Sequence, residues 1–273
     1  MTSTDKVRCA FIGLGSQGAP IATRMIGAGF PTTLWARRLE TLDPFKGSGA
    51  TFASSIAELA NHADHVGICV VNDADVIEVC RQLIPSLAHG ARIAIHSTVN
   101  PETIRQIARE AAEQGIDVID APVSGGEPAA YAGTLTVMLG GKAEAIAKAL
   151  PIFQSFGTLL PHLGEVGAGQ NAKLVNNALL AANMAVADHA LAAASALGIE
   201  KSALMELLIA SSGRSFGLEV RGRMPAPQAF HHGGSLLFKD LHLLRDVIGN
   251  DPGAVGLWNT AEPFLVACTG DAE

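Results

Sequence analysis

The sequence predicts an α/β protein in which an N-terminal doubly wound parallel sheet is joined by a long helix to an all-helical C-terminal domain. Up to about residue 163, short β-branched or apolar runs alternate with helical stretches, the pattern of parallel strands with crossover helices. From Gln170 to Leu197 no Gly or Pro interrupts the chain, which allows a helix of about 42 Å at roughly 1.5 Å per residue. From Ile199 onward, helical runs are separated by Gly/Pro-bearing loops without strand alternation. The expected division is residues 1–163 for the sheet domain, 164–197 for an interdomain region with the long helix, and 198–273 for the helical domain.

In chain order the strand candidates are Val7–Ile12, Thr32–Trp35, Val66–Val71, Arg92–His96, Asp117–Ala121 and Thr136–Leu139. The helix candidates between them, Ala19–Gly29, Ala74–Ile84, Glu102–Gln114 and Ala143–Phe156, carry apolar residues at three- and four-residue spacing. Beyond the long helix, Ala203–Ala210 and Leu236–Ile248 read as helices.

Composition narrows the class. The 273 residues are 48% hydrophobic and 16% charged, with a formal charge of −7 and a mean hydropathy of +0.29. That balance excludes a disordered or highly charged scaffold and implies much surface buried between domains or subunits. No run of Lys or Arg offers a footprint for nucleic acid or an anionic membrane. Cys9, Cys69, Cys80 and Cys268 lack metal-ligand or CxxC spacing and read as small buried apolar residues in a reducing compartment. His62, His65, His89, His96 and His162 likewise show no ligand spacing, so no metal is expected. Residues 1–5 carry no basic leader, and Leu174–Ala187, interrupted by Asn176, Asn177 and Asn183, is too short to span a bilayer. A soluble, cytoplasmic protein is expected.

The first strand is followed by Gly13-Leu14-Gly15-Ser16-Gln17-Gly18, a GxGxxG opening a helix. Its glycines permit a tight turn and close approach of backbone to a pyrophosphate, and the helix N-terminus supplies N–H donors, as in a Rossmann dinucleotide-binding domain. At the end of the second strand, where an acid would bond the adenosine ribose, stand Ala36-Arg37-Arg38. Arg37 or Arg38 can grip a 2′-phosphate, which favours NADP(H) over NAD(H).

Four motifs in order resemble the β-hydroxyacid dehydrogenase family, which includes 3-hydroxyisobutyrate dehydrogenase, tartronate semialdehyde reductase and succinic semialdehyde reductases. They are the glycine motif continuing to Ala19-Pro20; Ala121-Pro122-Val123-Ser124-Gly125-Gly126 with Gly133-Thr134-Leu135; Gly169-Gln170-Asn171-Ala172-Lys173-Leu174-Val175-Asn176-Asn177; and Lys239-Asp240-Leu241. The resemblance implies an active site in a cleft between the two domains, a short β-hydroxy acid or semialdehyde as substrate, and a homodimer or homotetramer. It makes Lys173 the proton donor and acceptor and Asn177 its substrate-positioning neighbour. Independently, these two are four apart on one helix and so share a face. A free lysine titrates near 10.4, so a base role needs desolvation or a nearby positive charge to lower that value.

By the same resemblance Ser124, Gly125 and Gly126 receive the substrate carboxylate, and Thr98, beside Ser97, borders both substrate and nicotinamide. Val71 and Asn72 flank the cofactor. Lys239 lies near the nicotinamide and Asp240 near the substrate. Three departures from the family stand out: Ala36 where NADP-using relatives often carry Asn, His232 where relatives place an aromatic facing the substrate, and a poor match after Asp246 with an early end to the chain. His232 implies a more polar substrate pocket. Two other readings remain, an imine reductase-like enzyme and a catalytically silent NADP-binding module. Lys173 argues against the first, and the joint presence of Lys173, Asn177, Ser124 and Asp240 against the second.

Overall fold

The structure, a computed structural model, describes residues 6–249 and 251–270. Its strands are β1 (Cys9–Ile12), β2 (Thr32–Trp35), β3 (Thr51–Phe52), β4 (His65–Ile68), β5 (Arg92–Ile95), β6 (Asp117–Asp120), β7 (Val123–Ser124), β8 (Leu135–Val137), β9 (Leu139–Gly140), β10 (Gly157–Leu159) and β11 (His162–Gly164). The helices are α1 (Gly18–Gly27), α2 (Ile56–Asn61), α3 (Asp73–Leu83), α4 (Pro101–Ala112), α5 (Gly126–Ala132), α6 (Ala143–Phe153), α7 (Ala168–Ala196), α8 (Lys201–Ala210), α9 (Phe216–Gly222), α10 (His231–Ile248) and α11 (Val255–Thr269).

The main sheet has the order β11-β9-β6-β5-β4-β1-β2-β3. The neighbours from β6 to β3 are parallel, whereas β9 joins β6 antiparallel. β1 therefore sits where the winding reverses, with β2 on one side and β4 on the other. A smaller sheet, β10-β8-β7, lies beside it. The expected strand Thr136–Leu139 is thus two pieces in two sheets, because the chain breaks at Met138, whose N–H donates to the Pro122 carbonyl.

Period-two alternation builds a core on each face of the main sheet. Ala10 and Ile12 point to one face, with Ile68, Ile93, Val76 and Ile104; Cys9 and Phe11 point to the other, with Ile21, Leu34, Ile119 and Phe153. Local signals start the helices. Asn72 caps α3, accepting from the Asp75 N–H at 2.9 Å, Asn100 caps α4 ahead of Pro101, and Ser55 caps α2, the side-chain oxygen satisfying a donor that the helix cannot.

Two compact units result, Met1–Lys173 and Leu174–Glu273. The division falls inside α7 rather than at residues 163 and 197, because the first turn of this helix is hydrogen-bonded to the sheet unit. Its later turns form the core of the helical unit. Leu174, Ala178, Ala181 and Met184 pack with Leu237, Leu241 and Leu244 of α10 and with Trp258, Phe264 and Leu265 of α11. By length and composition α7 could cross a membrane, longer than the apolar stretch noted in the sequence; one of its faces packs in the core of the helical unit, while Val175, Leu179 and Val186 are exposed. Asp188 on α7 pairs with the buried Arg221 of α9 at 2.6 Å.

Within the segment after Asp246, whose sequence departs from the family pattern, Val255–Thr269 form α11. Trp258, Ala261, Phe264, Leu265 and Cys268 recur at helical spacing and are all buried. As expected, the described residues after 197 contain helices and turns without a strand.

Candidate active site

Each glycine of the first motif meets a different constraint. Gly13 has φ +93°, and a Cβ there would strike the carbonyl of Cys69 after β4. A Cβ on Gly18 would strike the carbonyl of Gly13, so helix and turn could not close together. A Cβ on Gly15 would meet nothing within 4 Å; its freedom from a side chain leaves that approach open to a ligand. α1 is entered through Gln17, which gives no side-chain cap, and has no acidic residue in its first turn; the Ala19 N–H is bonded to the Gly15 carbonyl, and among the described residues no side chain competes with an anion for the other N–H groups of this helix start. Leu14 is buried and Ser16 is exposed, while Gln17 Oε1 is buried with no hydrogen-bond partner among the described residues. This cradle fits the pyrophosphate of a dinucleotide.

Because β1, β2, β4, β5 and β6 are parallel, the loops that follow them share the carboxyl edge of the sheet, where open α/β sheets take ligands. After β2, Arg37 and Arg38 are exposed. Arg37 donates to Asp75 at the start of α3, 3.0 Å away, and Arg38 lies 3.9 Å from Glu40. After β4, Val71 is exposed, and the Asn72 side-chain oxygen is engaged in capping α3. Ser97 after β5 ties these loops together, its Oγ accepting from the Val70 N–H at 2.8 Å.

Two buried polar residues then join the β5 and β6 ends to α7. Asp120, the last residue of β6, is fully buried and accepts from the N–H groups of Gly167 and Gln170, each at 2.8 Å. It caps α7 from another element of the fold. Burial pushes its carboxyl above the usual range, opposed by these N–H donors. A Cβ on Gly140 or on Gly169 would run into this carboxylate, so both positions are glycine by contact. Gln170 is also fully buried; its Nε2 donates to the Ser97 carbonyl at 2.8 Å and its Oε1 accepts from the Val99 N–H at 3.2 Å. These bonds bracket Thr98. Lys173 follows three residues later, just under one helical turn. Neither Asp120 nor Gln170 stood out from the sequence as a site residue. The available signal was a carboxylate in the apolar run Val118-Ile119-Asp120-Ala121, which must find donors if buried.

Ser124 ends β7 and is half-buried. Gly125 and Gly126 follow with φ +130° and +72° and are exposed, a backbone that only glycine adopts without strain.

In the helical unit, Asn177 donates through Nδ2 to Asp240 at 2.6 Å, and its Oδ1 accepts from Asn176 at 3.1 Å. Asp240 is buried on α10 and lies 3.2 Å from Lys239 Nζ. Asp240 therefore holds the Asn177 amide from within the unit. His232 lies in the first turn of α10, exposed, and seven residues before Lys239, on the same helical face two turns away.

The cysteines are free thiols. Burial pushes Cys9, Cys69 and Cys80 up to about 12, so they are protonated and inert at neutral pH.

Comparison with known proteins agrees with this geometry. Residues 8–167 match the family described as the NAD binding domain of 6-phosphogluconate dehydrogenase, and residues 167–268 match the NAD-binding domain of NADP-dependent 3-hydroxyisobutyrate dehydrogenase. The chain is 38% identical over 250 residues to an NAD-dependent L-serine dehydrogenase of Pseudomonas aeruginosa, covering 87% of this chain and 84% of that one. It is 32% identical over 256 residues to the mitochondrial 3-hydroxyisobutyrate dehydrogenase of Mus musculus, covering 89% and 76%. The structure of Mycobacterium tuberculosis 3-hydroxyisobutyrate dehydrogenase with L-serine superposes with a TM-score of 0.85 at 26% identity, over 95% of this chain and 92% of that one. On these grounds the chain belongs to the β-hydroxyacid dehydrogenase family of NAD(P)-dependent oxidoreductases.

Proposed function

We propose that this dehydrogenase interconverts a short β-hydroxy acid and its semialdehyde, with Lys173 exchanging the hydroxyl proton and NADP(H) preferred to NAD(H). L-serine and 3-hydroxyisobutyrate, for which relatives are named, are both acids of this kind and serve as the first candidates. The Gly13–Gly18 turn with Arg37 and Arg38 would hold the dinucleotide, whose nicotinamide would supply the hydride acceptor for oxidation and the hydride donor for reduction. Lys173, unprotonated, accepts the hydroxyl proton as the carbonyl forms, and gives it back in the opposite direction. Asn177, its amide held by Asp240, orients the substrate; the backbone from Ser124 to Gly126 receives the carboxylate, and Thr98 borders the reacting carbon.

The observation that carries this reading is the placement of Lys173 directly after the buried Asp120–Gln170 anchor. A binding module without chemistry has no use for a lysine so placed. Lys173→Ala should lower turnover by roughly 10²–10⁴-fold while leaving NADPH affinity within a few-fold, read by absorbance of the reduced nicotinamide and by direct titration. Turnover of a third of wild type or more would remove Lys173 from the mechanism.

For the cofactor, Arg37 and Arg38 support a 2′-phosphate contact, with Arg37 held in place by Asp75. A homodimer or homotetramer is the proposed assembly. It is supported by α8, an apolar helix with no buried residue, and by Val175, Leu179 and Val186 exposed on α7, an unpaired apolar surface of the kind that subunit contacts cover.

A further inference from the structure

We propose that Gln170 and Asp120 are positioning residues for proton transfer, fixing the first turn of α7 against the Ser97–Val99 loop so that Lys173 and Thr98 keep one spacing. The proposal rests on the reading of Lys173 as the acid/base.

The geometry is economical. Gln170 uses both ends of one amide on one loop, donating to the Ser97 carbonyl and accepting from the Val99 N–H, so Thr98 is fixed on both sides. The same residue's backbone N–H is taken by Asp120, as is that of Gly167. The start of the helix therefore has little freedom to slide or rotate relative to β5 and β6. All these groups are buried, so water cannot replace a lost partner cheaply. Glycines at 140 and 169 remove the side chains that would push the Asp120 carboxylate away. Burial favours protonating that carboxylate, and the N–H donors oppose it, so the contact depends on donors that only this helix start supplies. An anchor so complete, three residues before Lys173, exceeds what holding a helix end requires, since exposed caps such as Asn72 do that with one bond.

The test compares Gln170→Ala and Gln170→Met, which fills similar space without either hydrogen bond, with wild type, using L-serine or 3-hydroxyisobutyrate, whichever turns over faster, and NADP+. Single-turnover hydride transfer, followed by absorbance of the reduced nicotinamide and expressed per folded molecule at a temperature well below each protein's unfolding midpoint, should fall by about 10–100-fold in both variants. NADPH affinity should stay within about threefold. Asp120→Asn, which retains volume but places an N–H₂ against one of the two N–H donors, should act in the same direction. A hydride-transfer rate per folded molecule within threefold of wild type in Gln170→Met would overturn the proposal, as would a matching loss of NADPH affinity. Should Gln170→Ala not fold, Gln170→Met decides alone; should neither fold, the same measurement on Asp120→Asn decides by the same thresholds. If Lys173→Ala itself keeps its activity, the acid/base reading fails; if Lys173→Ala is inactive and the anchor variants are not, only the positioning proposal fails.

Discussion

His96 ends the run that begins with β5 and is caged by aromatic rings. It stacks on Phe11 at 5.8 Å and meets Phe153 and Phe156 edge-on, while its Nδ1–H donates to the Ala121 carbonyl at 2.8 Å. Burial pushes its pKa down from 6.5 to about 4. His65, in the adjacent strand β4, is pushed down to about 3 by burial, with Arg92 and His96 adding to the effect. The Phe11 face would attract an imidazolium, but by about 1–2 kcal/mol, less than the roughly 3 kcal/mol that the His96 displacement represents. The neutral ring prevails. Since both folded values lie below 6.5, the unfolded chain binds more protons throughout the interval between them and 6.5. Stability is complete above 6.5, falls as pH drops through that window, and levels off only below the folded values. From about pH 7.5 to about pH 5, each histidine removes about 2 kcal/mol, about 4 kcal/mol together. The assay is urea unfolding followed by circular dichroism at the two pH values, on wild type and His96→Asn, whose amide can keep the bond to Ala121. The cavity left by the smaller side chain costs the same at either pH, so the difference between the two pH values isolates the titration. His96→Asn should lose about 2 kcal/mol less than wild type over that interval. Equal losses in the two proteins would refute the assignment.

Two substitutions test the ends of the proposed site. Replacing Arg37 and Arg38 together by Ala should weaken NADPH by about 1.5–3 kcal/mol and NADH far less; equal weakening of both in titrations would show that the 2′-phosphate is not read there. His232→Phe should raise KM for L-serine while sparing 3-hydroxyisobutyrate, because the imidazole can exchange a hydrogen bond with a polar substituent that a methyl group lacks. An unchanged ratio of kcat/KM for the two acids would exclude His232 from substrate selection.

The parts of the fold that were legible were those with enough residues to show a period. β1, β2, β5 and β6 stand out as short β-branched or apolar runs, and α7 is visible from its missing Gly and Pro. β3, β7 and β9 are two residues each, too short to express alternation, and they exist because neighbouring strands offer unpaired edges. α2, α5 and α9, of six or seven residues, owe their position to caps and tertiary contacts more than to a stripe. Among the candidate site residues, Gly13, Gly18 and Lys173 stand out in the sequence because their residue types are costly or special where they stand. Gln170 does not, since an amide one residue past a glycine run says nothing until the loop it clasps is seen. Asn72, read from the sequence as flanking the cofactor, has a second task that the sequence did not show, its side-chain oxygen capping α3.

The course of α7 also governs which changes of chain length this protein tolerates. Gln170 is anchored to the sheet unit and Asn177 to Asp240 within the helical unit, with Lys173 between them on an unbroken helix. Each residue of an α-helix turns the next by about 100°. One inserted or deleted residue between 170 and 177 would therefore carry Lys173 or Asn177 a quarter-turn or more around the axis, with no loop nearby to absorb the phase error. Length variation in such a chain belongs in the connections, and between Gln170 and Asn177 the count of residues matters as much as the identity of the three that carry the contacts and the proposed chemistry.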